Sequence, residues 1–263
     1  MLEIYQNIQS PIHQLHARVK IIFTLVFILA INLLPQHAWA GFILFFSLII
    51  SVLLLSKLDP GIVFRRSLLA IPFLLSAIPL IFWGPEPVTQ WNIGGVISIP
   101  ISILGAERCL SIMIKAWISV LAAILLTGTT DSHALISGFR QLHVPAILIA
   151  IVELMWRYLY VMVDEVTRLI RARNSRSTVV NHGHHAGGSV FWRARVTGNM
   201  AGSLFLRSIE RSERVYAAML SRGYNGEPVA EQSAVFTKRD QVALFLSIAI
   251  VFILLFAGVV TGR

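Results

Sequence analysis

Five long apolar runs constrain this chain more than anything else in it. They are Ala17 to Leu34, Phe42 to Leu55, Ser67 to Trp83, Cys109 to Leu126 and Val242 to Val260. A helix needs about 20 mostly apolar residues to cross a bilayer, and each run approaches that length, the second at the short end. A helix is suited to the crossing because it pairs its own backbone groups where no water can. Pro72 and Pro79 interrupt the third run, and Lys115 lies within the fourth. Only 13% of the 263 residues are charged, against roughly a quarter in soluble domains.

The charges between the runs give an orientation. Arg18 and Lys20 begin the first run, Lys57, Arg65 and Arg66 lie between the second and third, and Arg140 follows the fourth. The linker at Pro35 and the linker from Gly84 to Ala106 hold no lysine or arginine, although Arg108 stands at the foot of the next run. Basic loops face the cytoplasm, so the N-terminus is expected inside and the C-terminus outside. The same rule explains the net charge of +9 without nucleic acid, and no aromatic-basic recognition module is present. The outline Arg18, Lys20, apolar stretch, Ala38-Trp39-Ala40 resembles a secretory signal. Its n-region is long, however, and a second span follows at once. Cys109 is the one cysteine, which excludes a disulfide framework within the chain and a cysteine-built metal site.

Pro145 to Val163 is a sixth candidate span. If it crossed, residues 166–239, which hold 12 of the 22 Lys and Arg residues, would lie outside. It also carries Glu153 and Arg157, which are costly in a membrane unless paired; at i,i+4 on one helical face they can pair. The expectation is a helix along or dipping into the cytoplasmic side of the bilayer. The fold class expected is therefore all-α. Residues 1–130 form transmembrane helices 1–4, residues 131–239 a cytoplasmic or interfacial region of long helices, and residues 240–263 the last span, giving about five spans in all.

Within the polar region two segments echo each other. Ala172-Arg173-Asn174-Ser175-Arg176-Ser177 and Ala218-Met219-Leu220-Ser221-Arg222-Gly223 both fit Ala-x-x-Ser-Arg-small. Val166 to Arg173 reads as helix, Thr178 to Ser189 as a flexible loop, and Phe191 to Leu220 as a long helix with apolar residues at helical spacing. Glu210 and Arg214 make an i,i+4 pair, and Gly223 stands where a helix stops. Arg176 and Arg222 are thus expected at the C-terminal ends of helices, where the dipole favours a cation. Their planar guanidinium forks suit bidentate bonding to a partner's carboxylate, and small neighbours let a partner's backbone approach. A matched pair suggests a two-headed partner. Two ordinary basic helix ends held to the inner leaflet would leave the same pattern.

Most of the chain resembles the transmembrane T component of energy-coupling factor (ECF) transporters, in the CbiQ-like branch. The resemblance rests on Ser10-Pro11-Ile12-His13-Gln14-Leu15 with Arg18 and Lys20, on Thr129-Thr130-Asp131 followed by Leu142-His143-Val144-Pro145, and on two arginine motifs. That family's motifs usually read Ala-Arg-Gly. Here they are Ser175-Arg176-Ser177 and Ser221-Arg222-Gly223, with Arg173 competing for the first register. The resemblance implies a cytoplasmic coupling domain with two long crossed helices, each inserting its arginine motif into one of two ABC-type ATPase subunits. It implies a separate substrate-binding membrane subunit, S-type or CbiM-like, and a multi-pass place in the cell (inner) membrane with residues 131–239 cytoplasmic. ATP would be bound by the ATPases and no cofactor by this chain. Cobalt or nickel follows from the branch. Met200, Leu204, Tyr216 and Met219 would pack the coupling helices on each other or on the substrate-binding subunit; Met is suited to an adaptable surface.

Other chemistry is weaker. His182, His184 and His185 could offer imidazoles to a transition metal, but no carboxylate or cysteine in that loop completes a site, so no metal is assigned. No phosphate-binding loop, Gly-x-Ser-x-Gly or His-Glu-x-x-His is present, and no catalytic residue is assigned. The alternative function is a stand-alone secondary transporter or ion-coupled permease using Lys115, Glu153 and Arg157, against which stands the absence of an inverted repeat.

Overall fold

The computed structural model describes residues 10–81, 88–93, 97–142, 144–176, 189–225 and 237–262. The chain divides into two compact units, Met1–Leu142 with Gln232–Arg263, and His143–Glu231. The first unit holds α1 (Ala17–Leu33), α2 (Trp39–Ser56), α3 (Pro60–Ser67), α4 (Ile71–Leu75), α5 (Ile103–Thr129), α6 (Ser132–Gln141) and α9 (Lys238–Thr261). The second holds α7 (Ala146–Arg176) and α8 (Val190–Ser221). The helical class expected from sequence holds. Among the described residues its exception is one antiparallel hairpin, β1 (Val88–Ile93) and β2 (Ile97–Ser102), pairing Val88 with Ser102 and Ile93 with Ile97.

The helix starts follow from local chemistry. Asp59 accepts from the Gly61 N–H with Pro60 in the first turn, Ser102 from Gly105, Asp131 from His133 and Ser189 from Trp192. Each side chain satisfies a donor that the first turn leaves orphaned. Thr237 and Asp240 close a reciprocal capping box at α9, and Asp240 also accepts the His16 N–H at 3.4 Å, which ties the start of α9 to the entry of α1.

The core of the first unit is aliphatic and aromatic, centred on Phe27, Ile31, Phe45, Ile49, Ile118, Leu121 and Val251. The Phe27 and Phe45 rings lie 5.2 Å apart. Ala38, part of the signal-like Ala38-Trp39-Ala40, is fully buried in this core. Where α2 begins and α9 ends, the backbones nearly touch. A Cβ on Gly258 would stand 2.6 Å from Leu34 Cδ2 and 3.2 Å from the Gly41 Cα.

Among the described residues, four helices are long and apolar enough to cross a membrane: Trp39–Ser56, Leu104–Thr129, Ala146–Arg176 and Lys238–Thr261. α1 has 17 residues, about 25 Å. The third apolar run is not one helix. It is α4 flanked by 3-10 turns at Leu68–Ala70 and Ile78–Ile81, because Pro72 and Pro79 each remove a backbone donor. It nevertheless carries the chain from one end of the bundle to the other. Leu58 packs on Gly128 near the C-terminal end of α5, Trp117 Nε1 donates to Ser67 Oγ at 3.2 Å halfway along, and Arg108 near the start of α5 reaches Gln36 at 3.1 Å. Among the described residues of this unit the helix ends give five traverses: α1, α2, the broken run, α5 and α9.

Pro145 to Val163 does not end as a helix of its own. It is continuous with the arginine-rich 166–173 in a single 31-residue helix, α7, which meets the length and composition of a span. Glu153 is half-buried and Arg157 exposed on it. α6, which precedes it, packs on the first turns of α1, where a Cβ on Gly138 would meet Ile21 at 2.8 Å. The chain therefore leaves the first unit and re-enters it at α9 on the same end.

Candidate docking site

α7 and α8 meet through polar contacts. Arg207 Nη1 lies 2.9 Å and Arg211 Nη2 4.0 Å from the two carboxylate oxygens of Glu165. Arg173 Nη1 reaches Thr197 Oγ1 at 3.5 Å. Eight residues forward on α7 thus corresponds to a backward step on α8, so the two helices run antiparallel. Half-buried Val196, Met200, Leu204 and Met219 share the stripe that carries Thr197 and Arg211. Tyr216 does not; it is 58% exposed, with Phe205, Leu206, Ile209 and Leu220 also exposed. The packing set expected from sequence thus divides, three residues on the inner stripe and Tyr216 outside it. The i,i+4 pair Glu210–Arg214 forms at 4.0 Å with both side chains exposed.

The serines of the two echoed segments make the same local contact. Ser175 Oγ donates to the Ala172 carbonyl and Ser221 Oγ to the Ala218 carbonyl, each at 2.9 Å. The same bond to the carbonyl three residues back is made by Ser203, Ser208 and Ser212 within α8, so it is a habit of helical serines and not particular to the motifs. The arginine that follows is exposed in both: Arg176 is the last residue of α7 and Arg222 the C-cap of α8. Beyond Arg222 the chain closes a Schellman turn. The Tyr224 N–H bonds the Met219 carbonyl and the Gly223 N–H the Leu220 carbonyl, each at 3.0 Å, while Gly223 takes φ +82°. That conformation suits glycine, having no Cβ. Ser177, His182, His184 and His185 lie outside the described residues. Among the described residues no three His, Cys, Asp or Glu side chains group to hold a metal.

The competing arginine of the first motif has a different environment. Arg173 is half-buried and turned to Thr197, whereas Arg176 projects from the helix tip. From Thr197 to Arg222 α8 rises about 38 Å. Arg176 and Arg222 therefore stand at opposite ends of an antiparallel helix pair, far enough apart to engage two separate bodies and too far to share one carboxylate.

Sequence reading missed two sets of contacts. Glu165 as common acceptor of Arg207 and Arg211 joins residues 42 and more positions apart, and no local spacing signals it. Lys115 and Lys20 are the other case. Lys115 Nζ donates to the carbonyls of Leu34 at 2.6 Å and Asn32 at 3.4 Å, at the C-terminal end of α1. Lys20 Nζ donates to the Thr129 carbonyl at 2.9 Å and the His13 carbonyl at 3.2 Å, at the C-terminal end of α5. Each of two antiparallel helices lends a lysine to the negative end of the other. Lys115, a candidate ion relay from sequence, is thus bonded to backbone carbonyls.

The family model described as CbiQ, cobalt transport protein, matches residues 9–235. An uncharacterized protein of Methanocaldococcus jannaschii is 29% identical over 228 residues, covering 86% of this chain and 75% of its own. A putative fused cobalt transport protein CbiMQ of Methanocorpusculum labreanum is 26% identical over 95% of this chain, which spans 41% of the fused protein. The energy-coupling factor transporter transmembrane protein of Staphylococcus aureus is 24% identical over 97% of both chains.

Proposed function

The chain belongs to the CbiQ family of cobalt transport proteins, a multi-pass membrane component of a transporter, and from that premise we propose that it couples ATP-driven motion to import. In this reading Arg176 and Arg222 each dock one of two ABC-type ATPase subunits. α7 and α8 carry the resulting displacement to a substrate-binding membrane subunit. The chain itself performs no catalysis and binds no cofactor, since ATP is held by the ATPases. The basic end of the bundle, with the N-terminus and residues 131–239, faces the cytoplasm, and the C-terminus faces outward. Cobalt or nickel is the cargo by family, recognised on the other membrane subunit.

One observation carries the proposal: the two Ser-Arg motifs project an exposed arginine from opposite ends of one antiparallel helix pair. Basic helix ends held to a leaflet would not need that separation. The test is Arg176→Glu combined with Arg222→Glu in the assembled transporter. The variant is expected at wild-type level in the membrane, with ATPase co-purification and ATP-dependent uptake lost. Wild-type uptake would refute docking through these arginines, and uptake by the chain without any ATPase would favour a stand-alone permease.

A further inference from the structure

The first unit contains an apolar cavity of about 360 Å³, within the size range of small-ligand sites, roughly 300–1,000 Å³. It lies where α1 and α9 begin and α2 and α5 end, among Phe23, Val52, Leu125 and Leu246. α2 and α9, which touch at Gly41 and Gly258, part here. Leu55 and Leu246 line the cavity and are also exposed on the outside of the bundle, so it opens sideways, toward lipid. An unfilled apolar space forfeits dispersion contacts with every wall atom, and in a bilayer the molecules at hand to fill it are acyl chains.

One wall residue is charged. Lys20 lines the cavity and is only 8% exposed. Two of its three N–H groups go to the carbonyls of His13 and Thr129. The third has no acceptor, and the ammonium no carboxylate, among the described residues. A buried cation of this kind is costly unless an anion joins it. Lys20 is one turn into α1, the depth at which lipid headgroups meet the chain.

We propose that this cavity seats one acyl chain of an anionic phospholipid, with the headgroup oxygens on Lys20. The charge-assisted bond completes the ammonium and the chain fills the apolar volume. The site is independent of ATPase docking, so either reading can fail without the other.

Native mass spectrometry tests it on the full chain released from nanodiscs of equal phosphatidylglycerol and phosphatidylcholine. The wild type is expected to retain one lipid, with phosphatidylglycerol favoured about fivefold, the preference one lysine near a headgroup confers. Ala243→Phe, which puts a ring into the cavity and leaves Lys20 in place, is expected to lose the retained lipid. Lys20→Gln is expected to retain lipid without preference, and where it fails to fold Ala243→Phe still decides. Equal retention of the two lipids by the wild type, no retained lipid, or undiminished retention by Ala243→Phe would each overturn the proposal. So would loss of the lipid when the intact transporter rather than the chain is released, since a partner's helix would then be the occupant.

Discussion

Gly223 shows what a single residue contributes to the docking tip. Its φ of +82° costs a residue with a Cβ about 1–2 kcal/mol, although the space around it is open. Gly223→Ala is therefore expected to loosen the turn and not to clash. Amide exchange at Gly223 and Tyr224 should rise about five- to thirtyfold while the middle of α8 stays protected; unchanged exchange would show that the turn does not depend on glycine. The motif itself was legible in the sequence because the end of a helix is a local event, written in Ser, Arg and Gly. The choice between Arg173 and Arg176 was not. It depends on which side of α7 faces Thr197, and residue 197 is 21 positions past Arg176.

Among the elements, α1 and α5 are held by reciprocal lysines. Lys115→Met would leave the carbonyl of buried Leu34 without its donor, and losing a partner for an acceptor out of water costs about 1–3 kcal/mol. The expected result is a lower melting temperature in detergent, with uptake per folded transporter near wild type. Abolished uptake in a fully stable variant would instead revive Lys115 as an ion relay. Apolar runs announced these helices but also hid a distinction. The run with Pro72 and Pro79 crosses in short pieces laid along α5, whereas Pro145 to Val163 is half of one long helix. Hydropathy sums over windows, so it registers grease and not the continuity of backbone hydrogen bonds.

For the whole molecule the consequential fact is parity. Within the first unit, α9 begins beside His16 and ends beside Pro35 and Ala38, so the two termini of the bundle lie at opposite ends. A reporter fused after Arg263 is expected to be active only outside the cell, and one inserted between residues 177 and 188 only in the cytoplasm. Activity of both on one side would break the five-traverse scheme.

The sequence by itself determined a helical membrane protein, its basic and neutral loops, and two arginine motifs at helix ends. Hydrophobicity, charge and capping act over one helix or less, so a linear string suffices to read them. Tertiary structure alone decided that Arg176 and not Arg173 projects, that the lysines of α1 and α5 cap each other, and that the two motifs stand about 38 Å apart along α8. Those depend on which faces of distant segments meet, a matter of packing that no local spacing encodes.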